Sequence, residues 1–474
     1  MQRIETLGHS LVAFLDPWRL TMKKTGFAED VCFKMRALVV ALLIVGTSSA
    51  GAQEASLEAQ IRERSAAVEK QLIDWRRDIH QHPELGDQEQ RTSRLVVAHL
   101  KRLGLDVRTG VGRTGVVGIL KGAKSGPVVG LRADMDALPV TEPEGLPFAS
   151  RARAAYHGDE VGVMHACGHD AHTAMLMATA QVLAGMKEQL PGTVMFIFQP
   201  AEEGSSIVMP GEGKSWGAKL MLEEGLFKNV KPDAIFAVHV MPGPSGEISW
   251  RTGATTASGD MLKISVHGRQ GHGGMPWNTI DPIVTSGQVL AGLQTVVSRR
   301  ANLALSPAIV TIGMIKGGSG PNIIPDRVDM SGTIRAYDQS VRDQVGRDVK
   351  LSAEHIAESA GAKAEVAVIP IYATTVNDTA LAAKMEPIIR KAADGKVAVA
   401  RLTGASEDFS YLAQAAPGLY LFLGITPEGQ DPLKAAPNHS PNFFVDERAL
   451  VVGTRTMALM TAAFLTGQVV DVSK

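Results

Sequence analysis

Ala171–Phe198 reads AHTAMLMATAQVLAGMKEQLPGTVMFIF. An apolar helical pattern over Ala171–Lys187 gives way, after a Pro-Gly break, to the apolar strand run Val194–Phe198. Similar short runs bounded by Gly or Pro recur at Val116–Leu120, Val128–Leu131, Ala234–Val240 and Leu419–Leu423. A further helical pattern covers Ala218–Glu224, and a first helix is expected around Leu57–His80. Strands alternating with helices imply a layered α/β domain with a central, mostly parallel sheet.

The pattern changes near Ser258. Met261–His267, Arg327–Ile334 and Glu365–Ile371 read as strands, separated by helical stretches Pro282–Arg299 and Val341–Ser359. Strand–helix–strand–strand–helix–strand over about 110 residues fits a small ferredoxin-like α+β domain. The α/β pattern resumes near Asp378. The expected organisation is a leader 1–52, a first α/β part 53–257, an inserted α+β domain 258–371, and a second α/β part 372–474.

Composition narrows the function. The 474 residues include 48 basic and 49 acidic side chains, for a net charge of −1. That balance offers nothing to a polyanion and predicts no nucleic-acid partner. A 45% apolar and 20% charged composition is that of a globular protein. Met35–Ala52, MRALVVALLIVGTSSAGA, has the layout of a secretory signal: Arg36, the apolar run Ala37–Gly46, then small residues ending in Ala50-Gly51-Ala52. Export is expected, to a bacterial periplasm, with no stable membrane span after cleavage. Translation could start at Met1, Met22 or Met35. Cleavage would remove Cys32 and leave Cys167 as the one cysteine, which excludes a disulfide framework.

Thirteen histidines stand out against this. Met164-His165-Ala166-Cys167-Gly168-His169-Asp170-Ala171-His172 opens the long apolar helix, where a thiolate and an imidazole two residues apart can reach one metal. Alone, this is also how a buried Cys beside an orienting His would read. Gln199-Pro200-Ala201-Glu202-Glu203-Gly204 leaves a strand where open α/β sheets bind ligands. One such carboxylate can bind metal while the other stays free as a base. His239 ends strand Ala234–Val240, and His439 lies in the loop Pro437–Phe443. Each is weak singly. Together they form a borderline N, O and S donor set that suits Zn²⁺ and similar ions, and that could hold two of them about 3.5–4 Å apart.

Taken in order, Arg132-Ala133-Asp134-Met135-Asp136-Ala137-Leu138-Pro139, His165–Asp170 and Gln199–Gly204 resemble the M20 metallopeptidase family. They resemble specifically its amidohydrolase branch of hippurate hydrolases and indole-3-acetyl-amino-acid hydrolases. The likeness begins at His80-Gln81-His82-Pro83-Glu84-Leu85 and runs to the C-terminal helix. The resemblance implies Cys167, His169, Glu203, His239 and His439 as ligands of a dinuclear centre, Glu202 as general base, and Asp136 as support. Asp134 replaces the His of the wider family's His-x-Asp motif and is not assigned to metal. Gly271–Pro276 resembles a lid motif whose His272 reaches an active site, in dimeric relatives the partner's. Gly317–Pro325 and Gly332–Arg335 resemble loops supplying Asn322 and a carboxylate-binding Arg335. Leu402–Ala405, before Ser406-Glu407-Asp408-Phe409, departs from the usual residues there.

The resemblance implies metal-dependent hydrolysis of the amide of an N-acyl amino acid, the acyl group aromatic in some relatives. Two divalent ions are expected, Mn or Zn, with Ni or Co as alternatives. The expected partners are a small N-acyl amino acid or short peptide, and a second copy through the lid. A dipeptidase or carboxypeptidase of the same family is the near alternative, and a non-catalytic metal-containing binding protein the distant one. Serine-hydrolase and P-loop motifs fail at their required glycines. Asn438-His439-Ser440 matches the glycosylation pattern and is read as chance.

Overall fold

The computed structural model describes residues 57–209 and 211–467. The leader 1–52, with its export segment about 35–52, lies outside the described residues. Contacts divide the chain after Ala59, and the compact unit Gln60–Lys474 holds both main sheets and every expected site residue.

Two sheets carry the architecture. In chain order their strands begin with β1 (Asp106–Val111), β2 (Gly115–Lys121), β3 (Lys124–Asp134), β4 (Pro191–Gln199), β5 (Ala234–Pro244) and β6 (Ile248–Trp250). Then come β7 (Gly259–His267), β8 (Ala308–Gly317), β9 (Arg327–Ala336), β10 (Lys363–Tyr372), β11 (Val397–Val399) and β12 (Gly418–Thr426). The helices that matter most are α1 (His169–Ala184), α2 (Pro282–Thr295), α3 (Gln339–Ser359) and α4 (Leu450–Thr466).

The larger sheet has the order β1-β2-β4-β3-β5-β12-β6-β11. Its four middle strands, β4, β3, β5 and β12, run parallel to one another. Parallel strands must be covered on both faces, so they read as unbroken apolar runs. All nine residues of β12 are buried. One face packs Met195, Ile197, Ile235 and Ala237 against the short helices Gly217–Glu223 and Phe409–Ala415. On the other, Phe236 meets Phe464 of α4, edge to face. The stretch Glu447–Thr466 is long and apolar enough to cross a membrane, but 72% of it is buried inside the fold, which accounts for its composition.

The second sheet, order β8-β9-β7-β10, is antiparallel throughout. Helices α2 and α3 cover one face. On α3, Val341, Val345, Val349, Ala353 and Ala357 recur every fourth residue and are all buried there. Each helix starts on an Asp cap: Asp281 accepts from Ile283 and Val284, and Asp338 from Ser340 and Val341. Strand β8 supplies the member that the sequence pattern requires between α2 and β9. The catalytic layer plus inserted ferredoxin-like lid is thus the observed architecture. Helix ends differ by a few residues from expectation: α1 stops at Ala184 because Gly185 is followed by a 3₁₀ turn over Lys187–Gln189.

One glycine ties this frame to the site. Gly168 caps α1 with φ +89°, and a Cβ there would lie 2.3 Å from Val240 Cγ2 on β5. Gly168→Ala therefore forces the turn and the strand apart. It is expected to lower the melting temperature and the bound metal together, measured by thermal denaturation and elemental analysis. Full retention of both would contradict this packing.

Candidate metal centre and substrate cavity

Cys167 and His169 flank that left-handed glycine, which turns both side chains to the same side at the start of α1. His169 Nδ1 lies 3.2 Å from Asp136 Oδ1, and the other oxygen of Asp136 accepts from the Glu203 N–H at 2.9 Å. Asp136 thus fixes an imidazole and the turn bearing a carboxylate with one side chain. On β5, His239 Nδ1 donates to the Val240 carbonyl at 2.8 Å, leaving Nε2 as the ligand nitrogen, 3.5 Å from Cys167 Sγ. His439, at φ +71°, donates its backbone N–H to Ala166, and its Nε2 lies 2.8 Å from Glu203 Oε1.

The five expected ligands therefore converge. The donor atoms of Cys167, His169 and His239 lie within 4.8 Å of one another, and so do those of Cys167, Glu203 and His439. Glu202 joins His169 and Glu203 in a third such group. Asp134 is engaged by the protein itself: His172 takes its Oδ1 at 2.6 Å, Arg132 meets its Oδ2 at 2.7 Å, and His172 Nε2 accepts from the Val240 N–H. The donor atoms of Asp134, His169 and His172 nevertheless also lie within 4.8 Å of one another.

The electrostatics fit a cation. Burial, then the carboxylates of Glu203 and Glu202, pushes the Cys167 thiol well above its usual range. Burial and the neighbouring Glu407 and Glu203 likewise hold Glu202 well above an ordinary carboxyl group. Burial opposes charging of His169, but Asp134 and Asp136 outweigh it and raise the imidazole to about 10. Burial, then His172, keeps His239 neutral. His169 Nε2 is buried and makes no hydrogen bond. A nitrogen without a partner beside a reluctant thiol and clustered carboxylates is what a divalent ion would satisfy.

Four of the five expected ligands, Cys167, Glu203, His239 and His439, line a cavity of about 590 Å³ together with Glu202, Met241, Tyr420 and Phe422, while His169 lies buried behind it. Arg335, half-buried and hydrogen-bonded to Ser406, enters it from the lid, with burial lowering its pKa. His272 and Asn322 do not line it. They sit exposed on the small ribbon of Gly271–His272 and Ile323–Ile324, where Gly273 N–H donates to the Asn322 carbonyl. A larger cleft of about 680 Å³ near Arg448 and Arg455 holds charges already paired with Asp446 and Asp394.

Several contributors escape sequence reasoning. Asn438 donates to the carbonyls of Cys167 and Val240, both at 3.1 Å, which pins the candidate ligand segments together. Its only sequence signal is adjacency to His439. Beneath the site, Arg132 is 2% exposed and pairs with Asp134, Glu407 and Asp408 while donating to Gln199. Tyr372 of the lid donates to the Glu202 carbonyl at 2.7 Å.

The family model for peptidase family M20/M25/M40 matches residues 130–463. Thermostable carboxypeptidase 1 of Saccharolobus solfataricus is 40% identical over 84% of this chain and 96% of its own. N-acetylcysteine deacetylase of Bacillus subtilis is 37% identical over 84% and 98%, and an IAA-amino acid hydrolase of Arabidopsis thaliana 37% over 84% and 88%. Among solved structures, a Bacillus subtilis dinuclear metal binding peptidase from the M20 family superposes with TM-score 0.68 at 33% identity, covering 85% of this chain and all of that one. By family model, relatives and structure alike, the chain belongs to the M20 peptidases, in accord with their amidohydrolase branch, and is a metal-dependent hydrolase of amide bonds.

Proposed function

We propose that this protein hydrolyses the amide bond of N-acyl amino acids, with two divalent ions, Mn or Zn first and Ni or Co as alternatives. The observation that carries the reading is the pair of donor triads sharing Cys167, with Glu202 beside them at the cavity wall. Cys167, His169, Glu203, His239 and His439 would hold the ions, which when bound polarise the amide carbonyl and make water acidic.

The chain's own groups do the rest. Glu202 takes the proton of the attacking water and returns it to the leaving amine. Its raised proton affinity suits that exchange. Asp136 holds His169 and the Glu203 turn in place. Arg335 offers its planar fork to the substrate carboxylate across the cavity. Met241, Tyr420 and Phe422 give the acyl group an apolar wall, which accepts an aromatic acyl group.

His272 and Asn322 lie outside this cavity, so their contribution would come from a second copy. Exposed Ile309, Met314 and Ile315 on edge strand β8, with Ile283 and Val284 on α2, support a dimer through the lid. Export to a periplasm rests on the segment about 35–52 alone. The bonded amide of Asn438 fits the reading that Asn438-His439-Ser440 carries no glycan. The carboxypeptidase relative favours a second reading, release of a C-terminal residue from short peptides, which Arg335 would serve equally. Lid limits near 258 and 372 are supported by the strands Gly259–His267 and Lys363–Tyr372. A purely metal-binding role would have no use for Glu202.

Assays on hippurate, N-acetyl amino acids and dipeptides, with each metal added back to apoprotein, test the reading directly. Glu202→Gln is expected to lower kcat by about 10²–10⁴-fold, the usual span for a general base, with metal content unchanged. Near-wild-type turnover would end the base assignment. Arg335→Ala should raise KM on carboxylate-bearing substrates by about tenfold or more, from a charge-assisted bond of about 1.5–3 kcal/mol. An equal loss on a carboxamide analogue would refute the clamp. Light scattering should give twice the chain mass, and Ile315→Glu should halve it; a wild-type monomer would refute the lid dimer.

A further inference from the structure

The segment His80–Glu89, HQHPELGDQE, supplies no group to the chemistry above. Yet it grips the site at three places, each one residue from a functional side chain. His80 Nδ1 lies 2.8 Å from Asp170 Oδ2, next to His169. The Glu84 carbonyl accepts from the Ala137 N–H at 2.8 Å, next to Asp136. Glu89 Oε1 accepts from the Ala201 N–H at 2.8 Å, next to Glu202.

The third grip is the most demanding. Ala201 is a non-glycine residue at φ +49°, a left-handed conformation that an L-residue keeps only when its surroundings impose it. Both Ala201 and Glu89 have no exposed surface, so without this carboxylate the Ala201 N–H would lose its one acceptor away from water. Glu89 is itself held: Oε1 also accepts from the Asp87 N–H at 3.1 Å, and Oε2 accepts from the Thr114 hydroxyl. The turn is closed from the same side by Gly86, whose carbonyl takes both the N–H and the hydroxyl of Ser206. A Cβ at Gly86 would lie 2.1 Å from the Gly204 carbonyl oxygen, so the two segments are in backbone contact.

We propose that Glu89 is a positioning residue for Glu202: it holds the Ala201 peptide in its left-handed turn and thereby aims the next residue's carboxylate. This rests on reading Glu202 as the base. Glu89 does not line the cavity, and its hydrogen bonds go to Asp87, Thr114 and Ala201. Its effect is on the direction of a proton acceptor, and small errors of direction are costly in rate.

Glu89→Ala removes the acceptor, whereas Glu89→Gln keeps an oxygen that can face Ala201. On metal-loaded protein and the acyl amino acid that the wild type hydrolyses, Glu89→Ala is expected to lower kcat on the order of 10²-fold. KM and metal content should stay unchanged, and Glu89→Gln should restore most of kcat. A merely structural part would show as a lower melting temperature and lower metal content with kcat per loaded molecule intact, and that result overturns the proposal. If Glu89→Ala does not fold, Thr114→Val, which frees the other carboxylate oxygen, should lower kcat in the same selective way; an unchanged kcat overturns the proposal there too. Glu202→Gln separates the two readings. If it turns over normally, the base assignment fails; if it is inactive while Glu89→Ala is fully active, the positioning role alone fails.

Discussion

Parallel strands finish on a common edge, and the candidate metal site is assembled on that fact. Strand β3 runs out into Asp134 and Asp136, β4 into Gln199 and the Glu202-Glu203 turn, and β12 leads to the loop of Asn438 and His439; His239, expected at a strand end, is instead mid-strand, because β5 continues beside β12 to Pro244. No single segment could supply the five donors at this spacing. Neighbouring strands deliver Glu203, His239 and His439, with Asp136 in support, because each leaves the sheet within one or two strand widths of the next. The start of α1 then approaches from beside β5, with Gly168 against Val240, and adds Cys167 and His169.

Such convergence concentrates negative charge in a place poorly served by water. Arg132 answers this from below. Its guanidinium meets Asp134, Glu407 and Asp408 at 2.7–3.1 Å, and although burial works against it, those carboxylates keep it charged. Glu407 is further tied to the Tyr420 hydroxyl at 2.6 Å, and Asp408 accepts from Gln199 and from the Ala218 N–H. These carboxylates are thus paired within the protein, Glu407 among them although it also lines the cavity beside Glu202 and Glu203. Losing Arg132 would leave several buried charges unpaired, the costly half of any buried ion pair.

Much of this was legible in the sequence, for a definite reason. Strands buried on both faces have to be apolar throughout, so β4, β5 and β12 could be located from composition alone. Cys167 and His169, or Glu202 and Glu203, are near neighbours in sequence and keep their relation in space. Side chains whose partners are remote could not be found this way. Arg132 meets Glu407 across 275 residues, and Asn438 meets Cys167 across 271. The position of His272 was equally hidden. A loop motif says what a residue can do, but the curl of the ribbon at Gly271–His272 decides whether its own chain's cavity is in reach.

The chain path also sets an order of assembly. Strand β12 sits in the middle of the large sheet, and α4 packs on α1 and β3, so the interior of the catalytic layer is completed by residues 418–466. The lid is different, because its four strands and two helices all lie within residues 259–372. During synthesis the lid can close its own core as soon as it has left the ribosome. The layer around it must wait, holding β3, β4 and β5 with an unfilled place between β5 and β6. Until β12 arrives, that gap is an open pair of strand edges, and the loop of Asn438 and His439 that follows β12 has no fixed place beside His239.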